Sequence, residues 1–160
     1  MALLYELEFL PKGQVEPFAG TDGNFYRLAD GRSIPVLSNP IWCRQCSEVT
    51  HGEELEPVEE IEKKIINLER LAAEIRAEID PSADGEQQER IAELKLRRNW
   101  LWARRSPPRC LRCGSTNFLR LEHEKPVEIG RGIVTLTVVG FCDPKFRYGN
   151  FTPEGERTWS

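Results

Sequence analysis

Two cysteine pairs constrain this chain more than any other feature. Trp42-Cys43-Arg44-Gln45-Cys46-Ser47 and Arg109-Cys110-Leu111-Arg112-Cys113-Gly114 each place two residues between their cysteines. At that spacing one tight turn aims both sulfurs at a single ion, and two such turns complete a tetrahedral shell of four thiolates with no open position for chemistry. Cys43, Cys46, Cys110 and Cys113 are therefore read as metal ligands. Zn²⁺, one per chain and structural, is the ion such donors favour. Gly114 suits a backbone that turns left-handed just past the last ligand.

Residues 41–116, with Cys-x-x-Cys, an insertion and then Cys-x-x-Cys-Gly, resemble the zinc-ribbon group. The resemblance implies an interaction or nucleic-acid-binding scaffold. A rubredoxin-like iron centre uses similar turns, but Ser47 and Leu111 stand where rubredoxins prefer Gly and Pro. Cys142 has no cysteine or histidine close in sequence and follows a strand-like run, so a buried free thiol is expected there. His51 is five residues after Cys46, and with four cysteines already satisfying an ion it is expected beside the site or at the surface. An odd total of five cysteines, four of them in paired two-residue spacing, favours metal in a reducing compartment over disulfides. The N-terminal residues lack the basic flank and long apolar run of a signal peptide, and no stretch is apolar enough to span a membrane, so the expected location is cytoplasmic.

Tyr5, Leu7 and Phe9 alternate with Glu6 and Glu8, the period of a half-buried strand over Leu4 to Leu10. Residues 13–24 read as a loop. Ala29-Asp30-Gly31-Arg32 lies between two strand-like runs, 25–28 and 33–37, as in a hairpin, and Pro35 confines its strand to a sheet edge. Asn39-Pro40 is expected to break the chain before the first cysteine turn. Val58, Ile61, Ile65, Leu68, Ala72, Ile75 and Ile79 then recur at alternating spacings of three and four, the seam of a packed helix about 33 Å long. Residues 80–85 read as a turn, with Asp84 and Gln87 at capping-box spacing. A second helix is expected from about Glu86 to Arg105, where Ser106-Pro107-Pro108 stops it. An antiparallel pair returns the chain to where it left, which explains how distant ligands can meet. Residues 117–121 read as a strand, and the β-branched run 133–139 as the strongest one, preceded by a turn at Gly130-Arg131-Gly132. The tail from Asp143 is polar and dotted with aromatics (Phe146, Tyr148, Phe151, Trp159).

The fold class expected is α+β: a small, mostly antiparallel sheet with a split four-cysteine zinc ribbon and an inserted antiparallel helical hairpin, a coiled-coil finger. It is read as one domain, with N-terminal strands and the first cysteine turn in 1–52, the hairpin in 53–105, and the second turn, strands and tail in 106–160. In architecture an acidic-tipped finger on a zinc module is similar to the secondary-channel regulators of bacterial RNA polymerase. In those the cysteine turns follow the finger, whereas here they bracket it.

Acidic residues from Glu53 to Glu62 open the first helix, and basic residues from Lys95 through Arg97, Arg98, Arg104, Arg105, Arg109 and Arg112 close the second. An antiparallel hairpin sets these blocks side by side, where they neutralise each other and suit the helix dipoles. The formal net charge of −4 argues against wholesale wrapping of nucleic acid. His51 and His123 sit in no ligand or nucleophile pattern, and Gly130-x-Gly132 lacks a phosphate loop's remaining spacing. No enzyme, small-molecule substrate or membrane association is expected. The reading is a non-catalytic protein-interaction module, an adaptor or an inhibitor or immunity-type protein, held by structural zinc. The alternative is a nucleic-acid or RNA-polymerase binder that uses Arg97 to Arg112 with Trp100 and Trp102.

Overall fold

The computed structural model describes residues 1–78, 81–144 and 146–159. In chain order its elements are β1 (Ala2–Leu10), β2 (Gln14–Ala19), β3 (Phe25–Arg27), β4 (Ser33–Pro35), β5 (Ser38–Cys43), β6 (Glu48–Glu53), α1 (Val58–Glu78), α2 (Pro81–Ala103), β7 (Phe118–Arg120), β8 (Val127–Glu128), β9 (Ile133–Cys142), β10 (Asn150–Phe151) and β11 (Arg157–Thr158). They divide into two compact units. One comprises Met1–Glu54 with Ser106–Ser160, the other Leu55–Arg105.

The first unit holds three sheets, ordered β2-β1-β9-β8, β11-β10-β3-β4 and β6-β5-β7. All their pairings are antiparallel except β10 with β3. The alternation of β1 puts Tyr5 and Leu7 into a core with Trp42, Leu121, Val134 and Leu136, while Glu6 and Glu8 stay exposed. Asp30-Gly31 turns β3 back onto β4, with Gly31 at a φ of 88° and Asp30 accepting from the Arg32 backbone N–H and guanidinium. Pro35 lies on the edge strand of its sheet, where a missing N–H costs nothing.

Three regions depart from expectation. The loop expected over 13–24 contains β2, whose Pro17 and surrounding turn residues mask an edge strand paired to β1 from Leu4 to Phe9. Asn39-Pro40 does not break the chain. Both residues lie within β5, the central strand of its sheet, and β7 pairs only with Ile41–Cys43, so Pro40 needs no donor toward it. Glu53 does not open a helix but ends β6, and α1 starts only at Val58.

In the second unit Ile61, Ile65 and Ala72 of the seam are buried against Ile91, with Leu68, Leu94 and Leu101 packed around them. Glu69 pairs with Lys95 at 3.0 Å, while Glu62 and Arg98 line one groove, the register of an antiparallel pair. Ile79 and Asp80 lie outside the described residues. The turn expected through Gly85 is shorter, because α2 begins at Pro81, in the first turn where a missing N–H breaks no helical bond. Asp84 thus sits inside the first turn of α2 instead of capping it. No described helix is long and apolar enough to cross a membrane.

Gly132 is where the geometry leaves least room. Its φ is +143°, and a Cβ there would lie 2.0 Å from the Leu10 carbonyl oxygen. Gly132→Ala is expected to cost about 3 kcal/mol, read as a shift in urea midpoint. Gly140→Ala, with nothing within 4 Å, should stay within about 0.5 kcal/mol of wild type.

Candidate metal centre

The end of β5 delivers Cys43, the turn into β6 carries Cys46, and Cys110-Leu111-Arg112-Cys113 forms the opposing turn ahead of β7. The two turns are built alike. Gly114 lies at φ +77°, and its N–H donates to the Cys110 carbonyl at 2.9 Å. Ser47 holds the corresponding place after Cys46 at φ +53°, a conformation that an L side chain adopts at a cost of about 1 kcal/mol. Its hydroxyl donates to the Arg44 carbonyl. The turns are joined to their surroundings by backbone bonds, Arg44 N–H to Asn117 O at 3.2 Å and Leu111 N–H to His51 O at 2.9 Å. Gly52 faces Cys110 in an isolated bridge, and a Cβ on it would come within 2.7 Å of the Ile41 side chain.

The structure brings all four predicted ligands together, with their sulfurs within 4.8 Å of one another. Cys43 lies 3.6 Å from Cys113, and Cys46 lies 3.9 Å from Cys110. A disulfide would bring sulfurs to about 2.05 Å. A tetrahedral site with metal–sulfur bonds of about 2.3 Å has edges near 3.8 Å, so these separations fit ligands around one ion. The first cysteine of each turn is buried and the second more open, Cys46 partly buried and Cys113 exposed. The cluster is therefore approached from one side and closed on the other. All four cysteines are free thiols arranged to bind a metal ion.

The protonation pattern fits cation capture. Burial pushes the Cys110 thiol up to about 12, against lowering by N–H groups of Cys113 and Arg112. Cys46 is pushed higher still, by burial and then by Cys113 and Cys43. Burial also acts to raise Cys43, but the Cys46 N–H and the Cys113 thiol outweigh it and leave this thiol below its ordinary value. Burial penalises the thiolate form of Cys46 and Cys110, and an ion that takes up thiolate charge would relieve that penalty.

Of the two places expected for His51, burial rules out the surface, since it is 6% exposed, and its carbonyl lies beside the site, accepting from the Leu111 N–H of the second cysteine turn. Its Nε2–H donates to the Ala19 carbonyl at 2.8 Å, so Nδ1 accepts from the Tyr148 hydroxyl, also at 2.8 Å. Phe18 stacks on the ring at 4.7 Å, and Thr50 Oγ1 lies 3.0 Å from the Tyr148 hydroxyl. Glu53 is buried too, accepting from the Tyr26 hydroxyl at 2.5 Å and the Arg109 N–H at 2.7 Å. The polar run Thr50-His51-Gly52-Glu53 hid these roles, because nothing in its composition marks a strand covered on both faces. Cys142 is half-buried, its sulfur 3.9 Å from the Leu3 carbonyl. His123 is exposed and accepts from the Val138 N–H.

Burial holds the His51 imidazole below its ordinary value of 6.5, against the raising effect of the Ala19 carbonyl. Its neutral form therefore stabilises the fold. That contribution is complete above the ordinary value and is lost as pH falls below it, where the unfolded chain takes up the proton first. Urea titrations should show wild-type stability declining from about pH 6.5 downward relative to His51→Asn, with the two curves parallel above pH 7.

Compared with known protein families, curated proteins and solved structures, the chain matches none. The metal assignment thus rests on the sulfur geometry of this chain alone.

Proposed function

We propose that the chain is a non-catalytic protein-interaction module in which Cys43, Cys46, Cys110 and Cys113 hold one structural Zn²⁺. The observation that carries this reading is the closed set of four sulfurs, which fills a tetrahedral shell and leaves no position for a reacting water. Cysteine turns at the ends of a three-stranded antiparallel sheet, β6-β5-β7, support a ribbon-type arrangement, and the packed helices are the inserted coiled-coil finger of this reading. A protein partner is supported by apolar surface at the end of β9. Phe141 is 69% exposed and pairs with the partly exposed Leu3, and Val139 beside it is 53% exposed. Charged residues are sparse along this run, whereas solvated strands usually carry them.

The nucleic-acid reading on Arg97 to Arg112 draws less support. Arg97, Arg104 and Arg105 are engaged, Arg112 pairs with Glu48, and Arg109 donates to the Gly114 and Glu154 carbonyls. Trp100 is buried, and Trp102 already has the Arg98 guanidinium 4.7 Å from its ring centre.

Metal analysis of the purified chain should give about one zinc per molecule. Cys110→Ser is expected to lose the ion and most of its thermal stability. Affinity capture should recover a stoichiometric protein with wild type and lose it with Phe141→Asp. Zinc-free protein with unchanged melting would overturn the metal assignment, and recovery of nucleic acid alone would overturn the partner.

A further inference from the structure

An open cleft of about 580 Å³ lies between the strands that carry the first cysteine turn and the turn joining β8 to β9. Trp42, Arg44, Leu119, Glu128, Ile129 and Arg131 line it. Its two arginines differ from most described cations of the same unit. Arg32 pairs with Asp30, Arg112 with Glu48, Arg120 with Glu54 and Lys125 with Glu122. Arg131 instead donates to the Ser47 carbonyl at 2.8 Å, with its guanidinium 5.3 Å from the Trp42 ring centre. Arg44 donates to the Asn117 side-chain oxygen at 2.8 Å. Among the described residues neither has a carboxylate within ion-pair distance. Both guanidinium groups are therefore held in place by neutral oxygens, with their charge uncompensated and most of their five donors unspent.

We propose that this cleft binds a nucleoside phosphate, its phosphate on Arg44 and Arg131 and its base against Leu119 and Ile129. Guanidinium forks match phosphate oxygens in bidentate geometry, and holding them in advance reduces the ordering cost of binding. The volume falls within the range of small-ligand sites, about 300–1,000 Å³, and exceeds what a bare anion needs. Glu128 would repel a phosphate placed beside it, so it is assigned to the base, next in sequence to Ile129, where its carboxylate would accept from an exocyclic amino group, as carboxylates do from cytosine. A run of acidic side chains offers no flat apolar body to lie against Leu119 and Ile129. A free nucleotide and the end of a single strand present the same chemistry to the site.

Calorimetric titration of the zinc-loaded full chain at 50 mM salt decides the matter, with inorganic phosphate, cytidine and uridine monophosphates, a single-stranded oligocytidylate and a poly-glutamate peptide as separate probes. Cytidine monophosphate is expected to bind more tightly than inorganic phosphate and uridine monophosphate. Arg44→Gln and Arg131→Gln should each weaken it about tenfold, while Arg98→Gln on the hairpin leaves it unchanged. Tighter binding of the oligonucleotide, with the same sensitivity to both substitutions, identifies a strand end as the natural source. Tighter binding of the mononucleotide identifies the free ligand. Equal affinity for the two monophosphates would overturn the base-reading role of Glu128. Absence of nucleotide binding, binding indifferent to both arginine substitutions, or binding of poly-glutamate alone would overturn the proposal. Because Arg131 also rests on Trp42, melting curves of both variants accompany the titrations. A loss of binding seen only in a variant that no longer melts cooperatively counts for nothing, and Arg44→Gln, whose side chain donates to the exposed Asn117, then carries the decision.

Discussion

Bringing Cys43 to Cys113, 70 residues along the chain, is the constraint on which the first unit depends. Closing a flexible loop of that size costs about 4 kcal/mol of chain entropy. Two features offset it. The intervening helices pack on each other through Ile61, Ile65, Ala72 and Ile91, so the chain between the cysteine turns folds back on itself instead of wandering. If the proposed zinc is the ion held, its apparent binding to four thiolates, on the order of 10–16 kcal/mol, would exceed the remaining closure cost. A chain with so modest a core around each sheet gains from a crosslink of this strength.

The same closure needs the strand next to the first cysteine turn to be fixed, and buried polar contacts fix it. The Glu53 N–H donates to the Arg109 carbonyl at 2.9 Å while its carboxylate takes the Arg109 N–H, so the chain segments on either side of the hairpin are joined in the first unit independently of any ion. The Tyr26 hydroxyl binds the same carboxylate and ties in the β3 sheet. Three residues upstream, Thr50, Tyr148, His51 and Ala19 form a continuous hydrogen-bonded row. Asn24 completes it by accepting from the Tyr148 and Gly149 N–H groups at 2.7 and 3.0 Å. Satisfied networks of this kind hold segments in one arrangement, since any slip leaves buried groups unpaired at 1–3 kcal/mol each, roughly. The aromatic tail is thus part of the frame, with Phe151 and Tyr148 buried and only Trp159 and Phe146 left outside.

What was legible in the sequence follows from periodicity and fixed spacing. The alternation in β1, the Asp30-Gly31 turn, the seam of α1 and the β-branched run in β9 each repeat one physical signal over several residues, and local pattern decides them. The cysteine pairs were legible because thiolate geometry dictates their spacing. The strands β2, β5 and β6 were not legible. Each carries Pro17, Pro40 or a polar run that local chemistry assigns to loops, and pairing with distant partners overrides that preference. Thr50, His51 and Glu53 look like surface residues until the tail from Tyr148 and the Arg109 segment cover them.

The cysteine cluster and the cleft share the first cysteine turn. Arg44 lies inside the first cysteine turn, and the carbonyl that holds Arg131 belongs to Ser47, the residue after Cys46. Ser47 holds its positive φ at the end of the turn that carries Cys43 and Cys46, two of the four clustered cysteines. An ion held by the four cysteines would stiffen this turn, and with it the Ser47 carbonyl that anchors Arg131, so that less binding energy would go into ordering the proposed site. By linkage the reverse would also hold: an anion on Arg44 and Arg131 would raise the affinity of the four thiolates for a metal by the same factor. A four-thiolate centre, with no open position of its own, would act on the proposed site only through the shape it imposes on the turn that carries Arg44.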